Sequence, residues 1–301
     1  MIKLASLTAA MAALSALLLP SLYADPEVVI YQGTPVAEQK ITVGGWGSGL
    51  ASERASSPTV PSFNGTQILQ VSTNGYYSGA RLDFQQPIDI TDALAAPDTY
   101  LQFMVWFPNY VPPDDITALS TYGTADLQGA PPTRFVRVVL VVNGQQLMVE
   151  DHPVNLLLVE NGWVKIAVPL SAFKGTRPTG KAMLSRLLLF GDTSDQFNVG
   201  AIETITDNEE IVVEQIDDQA ATVFDPTEWV GEASGGLATL EYVWDFDDSD
   251  GLQEDALGNH VRHVYRTPKS DPGYTVTLTV RDKYGVKQPV SVTCACDVYP
   301  Q

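Results

Sequence analysis

Residues Tyr242 to Gly251 read YVWDFDDSDG, His263 to Tyr265 read HVY, and Pro272 to Gly285 read PGYTVTLTVRDKYG. Within the last of these, TVTLTV (Thr275 to Val280) alternates with a period of two. Its threonines therefore take one face of a strand, and Val276, Leu278 and Val280 take the other. In the first stretch Trp244 and Phe246 share a strand face and fill a core, while Asp245 points the opposite way and anchors the turn that follows. Tyr265, one strand later, packs beside them. Leu240 to Phe246, Val261 to Tyr265, Tyr274 to Arg281 and Gln288 to Val298 thus predict a small antiparallel sandwich at the C-terminal end.

Working outward, Gly (23) and Pro (20) punctuate the whole 301-residue chain, and the apolar segments between them are short and β-branched or alternating, the pattern of an all-β protein. Strands are predicted at Val28 to Tyr31, Ile68 to Val71, Ala80 to Phe84, Tyr100 to Phe107, Phe135 to Val142, Asn155 to Val159, Trp163 to Leu170, Leu187 to Phe190, Val199 to Ile205 and Glu209 to Glu214. Only Ile90 to Ala95 and Gly180 to Arg186 invite a short helix. The continuous apolar runs in RFVRVVLVV (Arg134 to Val142) and LLLV (Leu156 to Val159) predict strands buried on both faces. Acids and Gln interrupt the pattern between Val212 and Pro226. That break divides the chain into a first domain over residues 25–213 and a second over 214–301.

A formal charge of −19, from 17 basic and 36 acidic side chains, argues against nucleic acid, whose phosphates select clustered Lys and Arg. Residues 1–24 read as a secretory signal peptide: one Lys, an apolar run from Leu7 to Leu19, and small Ala24 ahead of Asp25. No later stretch approaches 18 consecutive apolar residues, so export without a membrane span is expected, to the extracellular space, the cell surface or the periplasm.

The order W-D-F, H-x-Y and G-x-Y-x-V-x-L-x-V at the C-terminal end resembles the PKD domain, an immunoglobulin-like β-sandwich. Asp248 stands where a turn glycine is usual, and LQEDALGN is inserted before the H-x-Y. The resemblance implies a non-catalytic module of secreted or surface proteins, serving spacing, protein contact or polymer contact. The first domain resembles the jelly-roll carbohydrate-binding modules of the galactose-binding-like type. The carrying pieces are VVIYQG, GTQILQV, SGARLDF with QPIDITD, LQFMVWF, GWVKIAVPLSAF and FNVGAIETITD, in that order. Where many relatives carry an acid in the closing strand this chain has Gly200, which tells against an inherited calcium site there.

A glycan site needs aromatic faces that stack on sugar C–H surfaces, ringed by polar groups that meet hydroxyls. Tyr76 and Tyr77 in TNGYYSG, Trp46 in the glycine-rich GGWGSG and Tyr110 beside a long loop are the candidate contacts, whereas Trp106 and Trp163 sit in alternating strands and read as core. Asp245, Asp247, Asp248 and Asp250 gather enough hard oxygen for Ca²⁺, although they miss the EF-hand spacing and also suit metal-free Asx turns. Catalytic signatures are absent: the three histidines form no H-E-x-x-H, no serine occupies G-x-S-x-G, and no phosphate-binding glycine loop appears. Cys294 and Cys296 alternate on the last strand with Cα atoms about 6.7 Å apart, too far for an unstrained internal disulfide. They are either buried thiols or partners of another chain. The expectation is a secreted polysaccharide-binding protein without chemistry of its own; the alternative is a surface or filament subunit that assembles with other surface proteins or further copies of itself.

Overall fold

The computed structural model describes residues 27–58, 60–108, 133–156, 159–247, 249 and 251–301. The leader expected over residues 1–24 lies outside them. The first unit comprises β1 (Val28–Tyr31), β2 (Ile41–Trp46), β3 (Leu50–Ala55), β4 (Gln67–Asn74), β5 (Gly79–Asp89), the short helix α1 (Thr91–Ala95), β6 (Thr99–Trp106), β7 (Phe135–Val142), β8 (Gln145–Pro153), β9 (Val159–Glu160), β10 (Trp163–Pro169), β11 (Met183–Phe190) and β12 (Ser194–Thr206). Two sheets face one another. One runs β3-β4-β12-β6-β10-β9, with β1 pairing β12 beyond the end of β4; the other runs β2-β5-β11-β7-β8. The chain changes sheet from β4 to β5 to β6 to β7 and again from β10 to β11 to β12, which is a jelly roll.

Strand period dictates the layers. Leu69 and Val71, Phe103 and Val105, Val138 and Leu140, and Leu187 and Leu189 point between the sheets into one core. The intervening residues Val139, Leu188 and Phe190 form a separate buried cluster on the outer face of the five-stranded sheet. The continuous run over Phe135–Val142 therefore does mark a strand covered on both faces. Trp163 and Trp106 belong to neither of these: with Phe63 they cap the outer face of the larger sheet, rings edge-on at 5.7 Å. A Cβ on Gly200 would come within 2.9 Å of the Trp163 ring, so that strand position has no room for any side chain.

Three local expectations are corrected. Gly180 to Arg186 is not a helix: β11 starts at Met183 and pairs on both sides, with β5 and β7, and a bulge between Leu184 and Arg186 hides its alternation. Glu209 to Glu214 contracts to β13 (Val212–Val213), because Asp207 and Glu209 are engaged in a turn. Strands β2, β3 and β8 are additions; all three are edge strands in which polar residues and glycine break the apolar alternation.

The second unit adds β14 (Gln219–Thr222), β15 (Pro226–Val230), β16 (Ala233–Ser234), β17 (Leu240–Asp245), β18 (Ala256–Leu257), β19 (His260–Val264), β20 (Lys269–Asp282) and β21 (Val290–Tyr299). A sheet ordered β14-β21-β20-β17-β18, with β14 parallel to β21, is covered by the β15-β19 pair. Trp229 from that pair packs at 5.9 Å on Trp244 and 5.8 Å on Phe246, and Tyr265 joins the same core. β13 pairs β16 and Ile211 enters this core, so packing of the second unit begins a few residues ahead of Glu214.

Cys294 and Cys296 are free thiols that face this core, and burial pushes the Cys294 thiol up to about 11. A bond to another chain through this face would require opening the sandwich. At the junction of the units, Lys287 Nζ lies 2.7 Å from Asp207 Oδ2 with both side chains buried, and His152 on β8 stacks on Tyr284 with Nδ1 and the phenol oxygen 2.6 Å apart.

Candidate functional site

Two glycine-rich segments, GGWGSG and YYSG, meet at one end of the five-stranded sheet. Trp46 is the last residue of β2 and stands opposite Gly79; Gly79 stands opposite Phe190, and Phe190 opposite Arg137. Side chains at directly opposed positions share a face, so Trp46, Phe190 and Arg137 form one row across the outside of the sheet. Close backbone approach makes this possible: a Cβ on Gly79 would collide with the Leu189 carbonyl, and one on Gly47 would lie 2.6 Å from the Tyr77 carbonyl oxygen. Gly47 also has φ +62°, a conformation that glycine adopts without steric conflict.

Over this row stand Tyr76 and Tyr77, 51% and 58% exposed, with Trp46 37% exposed beside them. The Tyr77 ring lies 6.4 Å from that of Phe190. Arg137 supports both tyrosines from below, its guanidinium carbon 4.0 Å from the Tyr77 ring centre and 5.4 Å from that of Tyr76. Exposed Ser48 and Asn74 stand at the rim: Asn74 Nδ2 donates to Ser48 Oγ at 3.3 Å, Ser194 donates to Asn74 Oδ1 at 2.7 Å, and the buried Ser78 hydroxyl lies 3.2 Å from that of Ser48. Three of the four aromatic candidates are thus brought to one patch; Tyr110 lies outside the described residues.

The patch contains side chains that the sequence does not single out. Arg81, Arg186 and Asp83 continue it along the outer face: Asp83 takes Arg186 Nε at 2.5 Å and Arg81 Nε at 2.9 Å, and the Arg186 guanidinium is 6.0 Å from the Trp46 ring. Arg137 is 6% exposed, with Nη2 3.3 Å from Glu150 Oε1 and with Nε and Nη1 lacking a hydrogen-bond partner. A buried donor left so costs about 1–3 kcal/mol, and more where charged. The signal that could have found it is a charged residue flanked by Val136 and Val138 inside an otherwise apolar strand.

The acidic stretch is organised differently. Asp245 is buried, and its two carboxylate oxygens accept from the backbone N–H groups of Asp247 and Gln253, each at 3.0 Å. Asp247 accepts from Ser249 N at 3.0 Å, which holds its carboxyl below the usual range. Asp248 and Asp250 lie outside the described residues. Among the described residues no group of three or more His, Cys, Asp or Glu is disposed to hold a metal.

The three histidines are packing residues. His152 is buried against Tyr284, His263 stacks on Phe246 at 4.2 Å, and His260 lies 3.6 Å from Glu228. A cleft of ≈ 890 Å³ separates Pro153 and Asn155 of the first unit from Glu209, Tyr242 and Asn259 of the second, but its Arg281 is already paired with Glu241 at 3.1 Å and Glu254 at 2.7 Å. The aromatic patch is therefore the better candidate site. Among the described residues no helix is long and apolar enough to cross a membrane.

Residues 208–296 match the family model of the PKD domain. No curated protein matches the chain. A solved structure from work on the promiscuous specificity of carbohydrate-binding modules of the beta-sandwich superfamily is similar over 59% of this chain and 61% of that one, at 15% identity and a TM-score of 0.30. Another, the M60 catalytic domain with the two CBM51 domains of ZmpB from Clostridium perfringens, is similar over 87% of this chain and 23% of that one, at 13% identity and a TM-score of 0.20. The chain spans less than two thirds of the length of either structure.

Proposed function

We propose that this chain is an exported, non-catalytic binding protein for extracellular or cell-surface polysaccharide, with the PKD domain as spacer or second contact. The carrying observation is the exposed trio Trp46, Tyr76 and Tyr77, gathered by glycine-only close approaches onto one end of a sheet and rimmed by Ser48 and Asn74. Flat aromatic faces meet sugar C–H surfaces, and small hydroxyl and amide groups meet sugar hydroxyls. Trp46 is held by strand pairing, and Tyr76 and Tyr77 stand in the short turn between β4 and β5 with Arg137 against both rings. The histidines are committed to packing, which accords with binding rather than turnover.

Pull-down of the purified chain on a panel of insoluble and immobilised polysaccharides, with and without EDTA, tests this reading. Retention on at least one polysaccharide, reduced tenfold or more in Trp46→Ala or Tyr77→Ala, is the expected outcome. Retention unchanged in both variants moves the site elsewhere. No retention on any polysaccharide, with assembly of the chain as its concentration rises, replaces the proposal by the structural-subunit alternative.

A further inference from the structure

Arg137 stands at the β7 end of the row, under Tyr76 and Tyr77, with an incomplete set of partners. Its side chain is 7% exposed, its ionic neighbour Glu150 is half-exposed and 3.3 Å away, and among the described residues Nε and Nη1 have no hydrogen-bond acceptor. The tyrosine rings do not supply the missing acceptors. A ring face answers the positive charge of a guanidinium, but the N–H bonds lie in the guanidinium's own plane and run past a ring stacked on it. The unused Nε–H and Nη1–H leave the guanidinium on different sides, and either can donate to a carboxylate oxygen in a charge-assisted hydrogen bond.

The surroundings favour an anion. On a chain with 36 acidic and 17 basic side chains, this face gathers Arg81, Arg137 and Arg186, which among the described residues pair with Asp83 and Glu150. Asp83 is shared between two arginines, and Glu150 leaves most of the Arg137 fork unmatched. The patch is thus a positive island on an acidic protein, the reverse of what solubility alone would place there. Access runs past Tyr76 and Tyr77, whose rings are more than half exposed and reorient by ordinary side-chain rotation.

Resting on the polysaccharide reading above, we infer that the ligand carries a carboxylate, as an acidic sugar of the uronate class does, and that Arg137 receives that group while Trp46, Tyr76 and Tyr77 stack on the sugar rings. Arg137 is the specificity-determining residue of the patch.

The test compares retention of the unchanged chain on immobilised polygalacturonate, on its fully methyl-esterified form, on a neutral galactan and on dextran sulfate, at low and at high salt. Retention on polygalacturonate at least tenfold above the ester and the galactan, falling with salt, is expected. Arg137→Lys, which keeps the charge but not the guanidinium donors, should lose tenfold or more on polygalacturonate while keeping the near-ultraviolet circular dichroism of the parent. Equal retention on acid and ester overturns the carboxylate assignment and leaves the polysaccharide reading standing. Dextran sulfate retained above polygalacturonate also overturns it, since charge alone would then suffice. No retention on any of the four overturns the uronate assignment and leaves the polysaccharide reading to the wider panel. If Arg137→Lys does not fold, the ester comparison on the unchanged chain decides.

Discussion

Asp245, His152 and Arg137 are polar side chains buried in the same molecule, and each meets burial differently. Asp245 is matched by two backbone hydrogen bonds to its carboxylate oxygens. Arg137 lies against two aromatic rings with two donors unused. His152 gives up its charge: burial, helped by nearby Lys283, holds it at about 3, against 6.5 in an unfolded chain. Between those values the unfolded chain binds a proton that the folded chain refuses. The stability associated with neutral His152 is therefore complete above pH 6.5 and is lost as pH falls through the window from 6.5 to about 3, at about 1.4 kcal/mol per pH unit. Carboxylates titrate in the lower part of the same window, so the comparison is with His152→Phe, which retains a ring against Tyr284 and takes up no proton. Urea unfolding at pH 7, 5.5 and 4.5 should show the difference between the two proteins shifting toward the variant by roughly 1–3 kcal/mol. Parallel stability curves would show that His152 does not titrate differently in the two states.

The hairpin that delivers Trp46 is an element whose geometry depends on residues without side chains. Gly47 combines φ +62° with a backbone approach to Tyr77 that leaves no space for a Cβ. Gly47→Ala should lower stability by about 1–3 kcal/mol, from the left-handed conformation together with the displaced turn. It should also separate Trp46 from the tyrosines, reading out as a shifted tryptophan emission and weaker polysaccharide retention in a protein that still folds. A variant with unchanged emission and retention would mean that the hairpin is not held by this contact. Elements of this kind bound what the sequence discloses. Thr275–Val280 and the Trp244–Phe246 pair are legible because one face is apolar at every second position and the other is not. β2, β3 and β8 are not, because edge positions, polar residues and glycine interrupt the count, and β11 is obscured by its bulge. Tyr76, Tyr77 and Trp46 are legible as exposed aromatics in glycine turns. Their convergence is not, since it comes from register across β2, β5, β11 and β7, and Arg137 becomes visible only once that register is known.

Across the whole molecule, the two sandwiches are joined by the turn that follows β20. Asp282 shapes it by accepting from the N–H groups of Tyr284, Val286 and Lys287. From this turn Tyr284 reaches back to His152, and Lys287 reaches Asp207, the residue after β12, whose own N–H donates to the Asp98 carbonyl of the first unit. Lys287 Nζ also donates to the Glu209 and Gly235 carbonyls, so its three protons are all used. Removing one partner of a buried pair strands the other charge, and Lys287→Met should cost about 3–5 kcal/mol. That loss falls on the junction rather than on either core. In calorimetry the parent should therefore unfold in one transition, whereas Lys287→Met with Tyr284→Phe should split it in two and admit proteolytic cleavage between Thr206 and Val212. A single transition in the double variant would show that the sandwiches are coupled by other contacts. If the split occurs while each unit keeps its own melting point and polysaccharide retention persists, the junction serves to hold the aromatic patch at a fixed attitude to the PKD domain. That is the property a spacer needs when the surface bearing the ligand is extended.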